Sequence, residues 1–126
     1  MPDKVVDASA LAAIAFAEPG ADAVIDQIDG HRLHAPSLVV FELMNVAWKR
    51  SRKQPAAAAL FLEALEVLGG LGLRFRGINQ EEVVKLGLAT GLTAYDASYL
   101  WLARALDLPL VTLDRKLAAH AQKTGR

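Results

Sequence analysis

Two short apolar runs at opposite ends of the chain, each closed by an aspartate, constrain the fold more than any other feature. In "VVDASAL" a strand over Lys4 to Val6 runs into Asp7, and in "PLVTLDRKL" a strand over Pro109 to Leu113 runs into Asp114. Short runs rich in β-branched residues read as strands, and aspartate is a common first residue before a helix. Each end of the chain is therefore a strand-to-helix unit.

The stretch between them keeps this rhythm. A helix from about Ser9 to Ala17 closes at Pro19-Gly20, and a second covers Ala21 to Ile28. Arg32 to His34 is a brief strand. Pro36-Ser37 opens a long helix through Arg52, with Ser37 as its N-cap, and Pro55 starts another that Gly69-Gly70 ends. Leu73 to Arg76 alternates apolar and basic, as a half-exposed strand does. Asn79 and Glu82 have capping-box spacing before a helix that Gly91 stops, and Thr93 opens the next, to about Leu106. Strands separated by helices predict an α/β architecture: a mainly parallel central sheet of about four to five short strands, flanked by helices. At 126 residues, with no internal repeat or linker, the expectation is one domain over 1–126.

Composition narrows the function classes. Formal net charge is zero, so bulk charge does not argue for nucleic-acid binding, and any grip on phosphate must be local. The absence of cysteine removes disulfide frameworks and thiolate metal sites and suits a reducing cytoplasm. No basic-then-apolar leader is visible, and the richest apolar stretch, Pro55 to Leu73, is broken by Glu63, Glu66 and Gly69-Gly70. A membrane span needs roughly 18 or more nearly unbroken apolar residues, so a cytoplasmic location without membrane attachment is expected.

Four carboxylates lie where chemistry could use them. Asp7 and Asp114 stand at strand carboxyl ends, where parallel sheets tend to open ligand crevices, although each alone also reads as a helix cap. Glu42, in "SLVVFELMNVAWKR", is the only ionisable residue between Ser37 and Ala47 and lies too deep in its helix to be a cap. It shares a stripe with Asn45 and Lys49, so a solvated Glu–Lys pair is the plainer alternative. Asp96, in "GLTAYDASYLWLA", has capping-box spacing from Thr93, which leaves its carboxylate free to point elsewhere. Acids gathered in one cleft repel one another and their pKa values rise unless a cation joins them. An all-oxygen donor set suits Mg²⁺ or Mn²⁺.

"VVDASAL", "FELMNVAWK", "TAYDASYLWLA" and "VTLDRKL", in this order, resemble the acidic motifs of the PIN-domain family, and more narrowly its VapC-type toxins. That resemblance implies a compact α/β fold and an Mg²⁺- or Mn²⁺-dependent endoribonuclease leaving 5′-phosphate and 3′-hydroxyl ends. It makes Asp7, Glu42, Asp96 and Asp114 a catalytic quartet holding the metal, with Asp7 and Asp96 leading. Ser9 and Thr112 match the hydroxyl residues that orient these carboxylates. It also implies an RNA substrate, a cognate antitoxin protein and a homodimer. A metal could lower the pKa of the attacking water and neutralise charge on the phosphate.

Arg115, Lys116 and Lys49 are the candidate phosphate contacts, with the rest of the "KRSRK" run, Arg74 and Arg76 as further cations. His31, His34 and His120 have no paired spacing and are expected to be structural. Tyr95, Tyr99, Leu102 and Leu106 form one apolar helical face, expected in the core. Trp48, Trp101 and the helix from Pro55 to Leu68 are expected to be mostly core, with any surplus facing a second copy or an antitoxin. Two other readings compete: a catalytically silent PIN-like module binding RNA or protein, and a metal-dependent phosphohydrolase. The latter is weakened because "DAS" lacks a second aspartate two residues on.

Overall fold

The computed structural model describes residues 2–122. Four strands, β1 (Asp3–Val6), β2 (Arg32–Pro36), β3 (Arg74–Arg76) and β4 (Leu110–Val111), form one sheet in the order β3-β2-β1-β4. Every pairing is parallel, with Val5 opposite His34 and Leu110, and Pro36 opposite Arg76. β1 is central and its Val5 and Val6 are fully buried, as expected of a strand covered on both faces.

Seven helices surround the sheet: α1 (Ala8–Ala15), α2 (Ala21–Ile28), α3 (Leu38–Lys53), α4 (Ala58–Gly69), α5 (Gln80–Thr90), α6 (Ala94–Leu106) and α7 (Arg115–Gln122). The chain passes from β1 to β2 to β3 along one direction, then returns to place β4 on the other side of β1. That reversal puts a topological switch point between β1 and β4, where open parallel sheets form their crevice. Asp7 and Asp114 follow these two strands.

The sheet has the expected strand number and direction, but β4 is shorter than Pro109 to Leu113. Pro109 still accepts a bond from Val5 N (2.9 Å), and Val111 accepts one from Asp7 N (3.2 Å). Beyond Val111 the amides of Leu113 and Asp114 turn to the side chains of Ser9 and Thr112. Backbone groups claimed by side chains cannot continue a ladder.

Helix starts follow the sequence at Asn79, whose side chain accepts Glu82 N, and at Thr93, which accepts Asp96 N. Glu82 does not return the bond of a capping box; it accepts the indole N–H of Trp101 at 2.8 Å. Ser37 is no side-chain cap: its backbone is already helical (φ −59°, ψ −21°) and its hydroxyl makes no capping bond. Pro55 opens a short 3-10 turn before α4 rather than α4 itself.

The core lies between sheet and helices, with Leu11, Val39, Tyr99, Leu100 and Leu117 essentially inaccessible. α5 and α6 meet at Gly87, where an added Cβ would stand 3.1 Å from the carbonyl oxygen of Leu92. A β-branched side chain there meets backbone that cannot rotate away. Gly87→Val is expected to lower unfolding free energy by about 1–3 kcal/mol, measured by urea titration; a variant as stable as wild type would refute this close packing.

Three core expectations fail. Trp48 is 55% exposed, and in α4 only Leu68 is buried, with Leu60, Leu62 and Val67 all exposed. α4 packs mainly on α3 and α1, through contacts such as the edge-to-face pair Phe16–Phe61 (5.9 Å), so much of its circumference meets solvent. Tyr95 is likewise exposed: it shares the stripe of Tyr99 and Leu102 but lies in the first turn of α6, at the end of the buried stretch. Among the histidines, His34 is buried and its Nε2 pairs with Asp3 (2.8 Å), while His31 bonds the carbonyl of Asp29.

Candidate active site

Asp7 ends β1 in an extended conformation and caps α1, accepting Ala10 N at 3.0 Å on Oδ1. The cap reading of this residue is correct, and it is incomplete. Ser9 Oγ donates to the same oxygen (2.8 Å) and Thr112 Oγ1 donates to Oδ2 (2.5 Å). Ser9 and Thr112 approach to 3.3 Å, but both hydroxyl protons already point at Asp7, so this contact has no proton to share. The two hydroxyls grip one carboxylate.

The grip extends to the last aspartate. Thr112 Oγ1 accepts Asp114 N (3.0 Å), and Ser9 Oγ accepts Leu113 N (3.0 Å). Asp114 then caps α7 by accepting Leu117 N at 2.9 Å. Thr112 therefore ties the acid after β1 to the segment bearing the acid after β4.

Glu42 stands one turn inside α3, half-buried, and receives the phenol proton of Tyr99 at 2.5 Å. Tyr99 is almost wholly buried, and its hydroxyl is held far above its ordinary range by burial and by the adjoining Glu42 carboxylate. Tyr99 thus carries more than packing. A buried phenol needs a partner, which is the signal in "DASY" that an apolar-face reading passes over.

The carboxylates act on one another. Burial pushes Asp7 above its ordinary value; the Thr112, Ala10 and Ser9 bonds pull it back, and the Asp96 charge adds to the rise. Burial also raises Glu42, opposed by Tyr99 and reinforced by Asp96 and Asp7. Asp96, half-buried in the first turn of α6, is raised by burial and by Asp114, and Lys116 opposes this. Asp96 thus interacts with Asp7, Glu42 and Asp114 in turn, and Asp7 and Glu42 also repel each other directly.

A donor set of carboxylates without thiolate or imidazole matches a hard divalent cation, and mutual repulsion is what such an ion would relieve. Among the described residues, no three acidic or histidine side chains stand close enough as drawn to hold one ion together. Asp7 and Glu42 face hydroxyl donors instead, and Asp96 accepts no hydrogen bond among the described residues. The fit is thus one of donor chemistry.

The candidate phosphate contacts divide. Lys49 is exposed and lines a groove with Ser9, Glu42 and Asn45. Lys116 donates to the carbonyl of Gly91 at 2.8 Å beside Asp96, and Arg115 is exposed with no ion pair among the described residues.

Because burial and the neighbouring Asp114 charge both disfavour ionised Asp96, Asp96→Asn is expected to raise the melting temperature of the protein in chelator near pH 7. A carboxyl whose folded pKa is raised costs stability once ionised. The gain should therefore vanish as pH falls toward the ordinary value of 3.8, which a pH series of thermal melts would read. A lower melting temperature at pH 7 would contradict the repulsion.

The PIN domain family matches residues 4–123. Ribonuclease VapC3 of Pyrobaculum aerophilum is 32% identical, covering 90% of this chain and 91% of its own. Exonuclease VapC9 of the same organism is 37% identical, covering 94% and 85%. Ribonuclease VapC9 of Mycobacterium tuberculosis is 34% identical, covering 94% and 91%. In solved structures, PAE2754 from Pyrobaculum aerophilum superposes with a TM-score of 0.77 at 33% identity, over 94% of this chain and 84% of that one.

Proposed function

This chain belongs to the PIN-domain family, and from that premise we propose that it is a metal-dependent endoribonuclease acting as the toxin of a toxin–antitoxin pair. The observation that carries the reading is the buried Asp7 carboxylate, gripped by Ser9 and Thr112, with the charges of Glu42 and Asp96 close to it and Asp114 next to Asp96. The curated relatives of similar length are named as VapC nucleases, which supports the toxin assignment.

Asp7 and Asp96 are the leading ligands of Mg²⁺ or Mn²⁺, with Asp114 and Glu42 completing the quartet. When bound, the ion supplies an acidified water and neutralises charge on the phosphate. Ser9 and Thr112 hold Asp7 in one orientation, and Tyr99 keeps its proton and fixes Glu42. Lys49, Arg115 and Lys116 neutralise the phosphates of the bound RNA. An apolar groove lined by Val40, Leu43, Met44, Leu65 and Phe75 supports an antitoxin partner, and the exposed apolar residues of α3 and α4 leave surface for a homodimer. Among the described residues, no helix is long and apolar enough to cross a membrane, and the proposed site of action is the cytoplasm.

The competing reading is a catalytically silent PIN-like module that binds RNA or protein. It is favoured by the lack of three convergent acids among the described residues as drawn. Calorimetric titration with Mn²⁺, followed by incubation with tRNA, rRNA and mRNA, decides between them. Saturable binding with new 5′-phosphate ends supports the nuclease. Binding of no metal, with every RNA intact, would refute it.

A further inference from the structure

The groove at Glu42 continues along α3. Ser9, Glu42, Asn45 and Lys49 line a depression between α1 and α3, and Lys49 also lines the next one with Trp48, Arg52 and Lys53, of about 320 Å³. Lys49 is common to both, so one continuous surface leads from the acids to the end of the helix. At about 1.5 Å per residue, Glu42 and Arg52 are separated by about 15 Å, the reach of a few nucleotides.

That far end is built differently from its surroundings. Arg50, in the same run, is engaged with the protein itself: it pairs with Glu18 and lies over Phe16. Lys49, Arg52 and Lys53 have no ion pair among the described residues. Trp48 is 55% exposed, and the Arg52 guanidinium sits 4.9 Å from its ring centroid. A large indole left in water beside three uncompensated cations fits a polyanion that carries flat aromatic groups. Bases offer faces for stacking, and phosphates offer charge.

We propose that Trp48 and Arg52 form a stacking platform for a base of single-stranded RNA, with Lys49 and Lys53 on the adjoining phosphates. Such a platform takes an unpaired base, because bases inside a duplex are stacked on each other and present no free face. The inference rests on the nuclease reading above and deepens it.

The test uses the full chain carrying Asp7→Asn, so that RNA is bound without being cut. Fluorescence anisotropy compares a labelled unstructured oligoribonucleotide with a blunt-ended RNA duplex of the same composition. Trp48→Ala is expected to weaken binding of the single strand about tenfold and leave the duplex unchanged, whereas Trp48→Phe retains most affinity. Quenching of tryptophan emission by the single strand should disappear with Trp48, while Trp101, bonded to Glu82, remains as an internal reference. Lys53→Gln should lower the salt slope by about 1.

Unchanged single-strand binding in Trp48→Ala, or equal losses for single strand and duplex, overturns the platform while leaving the nuclease intact. Quenching of Trp48 by an acidic peptide but not by RNA overturns it in favour of a protein partner. A parent that binds no RNA, together with a wild type that cuts none, sinks the nuclease reading and the platform with it.

Discussion

Asp7→Asn is expected to cut metal-dependent RNA cleavage at least about 1000-fold, the scale seen when one member of a catalytic unit is lost, while leaving the fold in place. Asparagine has the same shape, and its carbonyl oxygen can keep the capping bond to Ala10 N. What disappears is a buried negative charge. Because burial raises the folded pKa of Asp7, its ionised form costs stability, and that cost is present above the raised pKa and absent below the ordinary value of 3.8. Wild-type protein in chelator should therefore lose stability as pH rises from 3.8 through the raised pKa. Asp7→Asn should flatten that dependence and melt no lower than wild type near pH 7. Mapping 5′ ends in cells expressing each form reads activity, and melts across pH read the fold. Retained cleavage in a folded Asp7→Asn protein would remove the basis of the proposed mechanism.

Thr112→Val is the second large effect, and it separates support from chemistry. Valine matches threonine in shape but takes the donor from Asp7 Oδ2 and the acceptor from Asp114 N. A buried group left without its partner costs about 1–3 kcal/mol, more where charge is involved, so a stability loss of about 2–3 kcal/mol is expected by urea unfolding. Metal affinity or cleavage should fall about 10- to 100-fold, as for other residues that orient ligands. Thr112→Ser, which keeps the hydroxyl, should recover most of both. Equal behaviour of the valine and serine variants would mean that the hydroxyl does not organise the acids.

Several elements could be read from the chain because their causes are local. Asn79 and Thr93 cap the helices they precede through their own side chains, and Gly91 ends α5 with a positive φ of 78° that glycine adopts without strain. Other expectations failed where a distant residue decides. Ser37 has the chemistry of a cap, but its helical backbone leaves its hydroxyl without that role. Trp48 has the hydropathy of a core residue, yet α3 turns it away from the sheet. Tyr99 lies on an apolar stripe and still reaches Glu42, a partner 57 positions earlier in the chain.

The sequence by itself determined the strand-to-helix junctions at Asp7 and Asp114, the alternation that makes the sheet parallel, and the residue types that stand at its carboxyl edge. These depend on side-chain branching, capping chemistry and spacing, all of which act over a few residues. Only the tertiary structure decided that β4 returns beside β1, and that Ser9 and Thr112, 103 positions apart, close on one carboxylate. It also decided that Asp96 couples the other acids and that Trp48 faces water. Those outcomes depend on strand order and on which helix face meets the sheet, and both are settled by long-range packing.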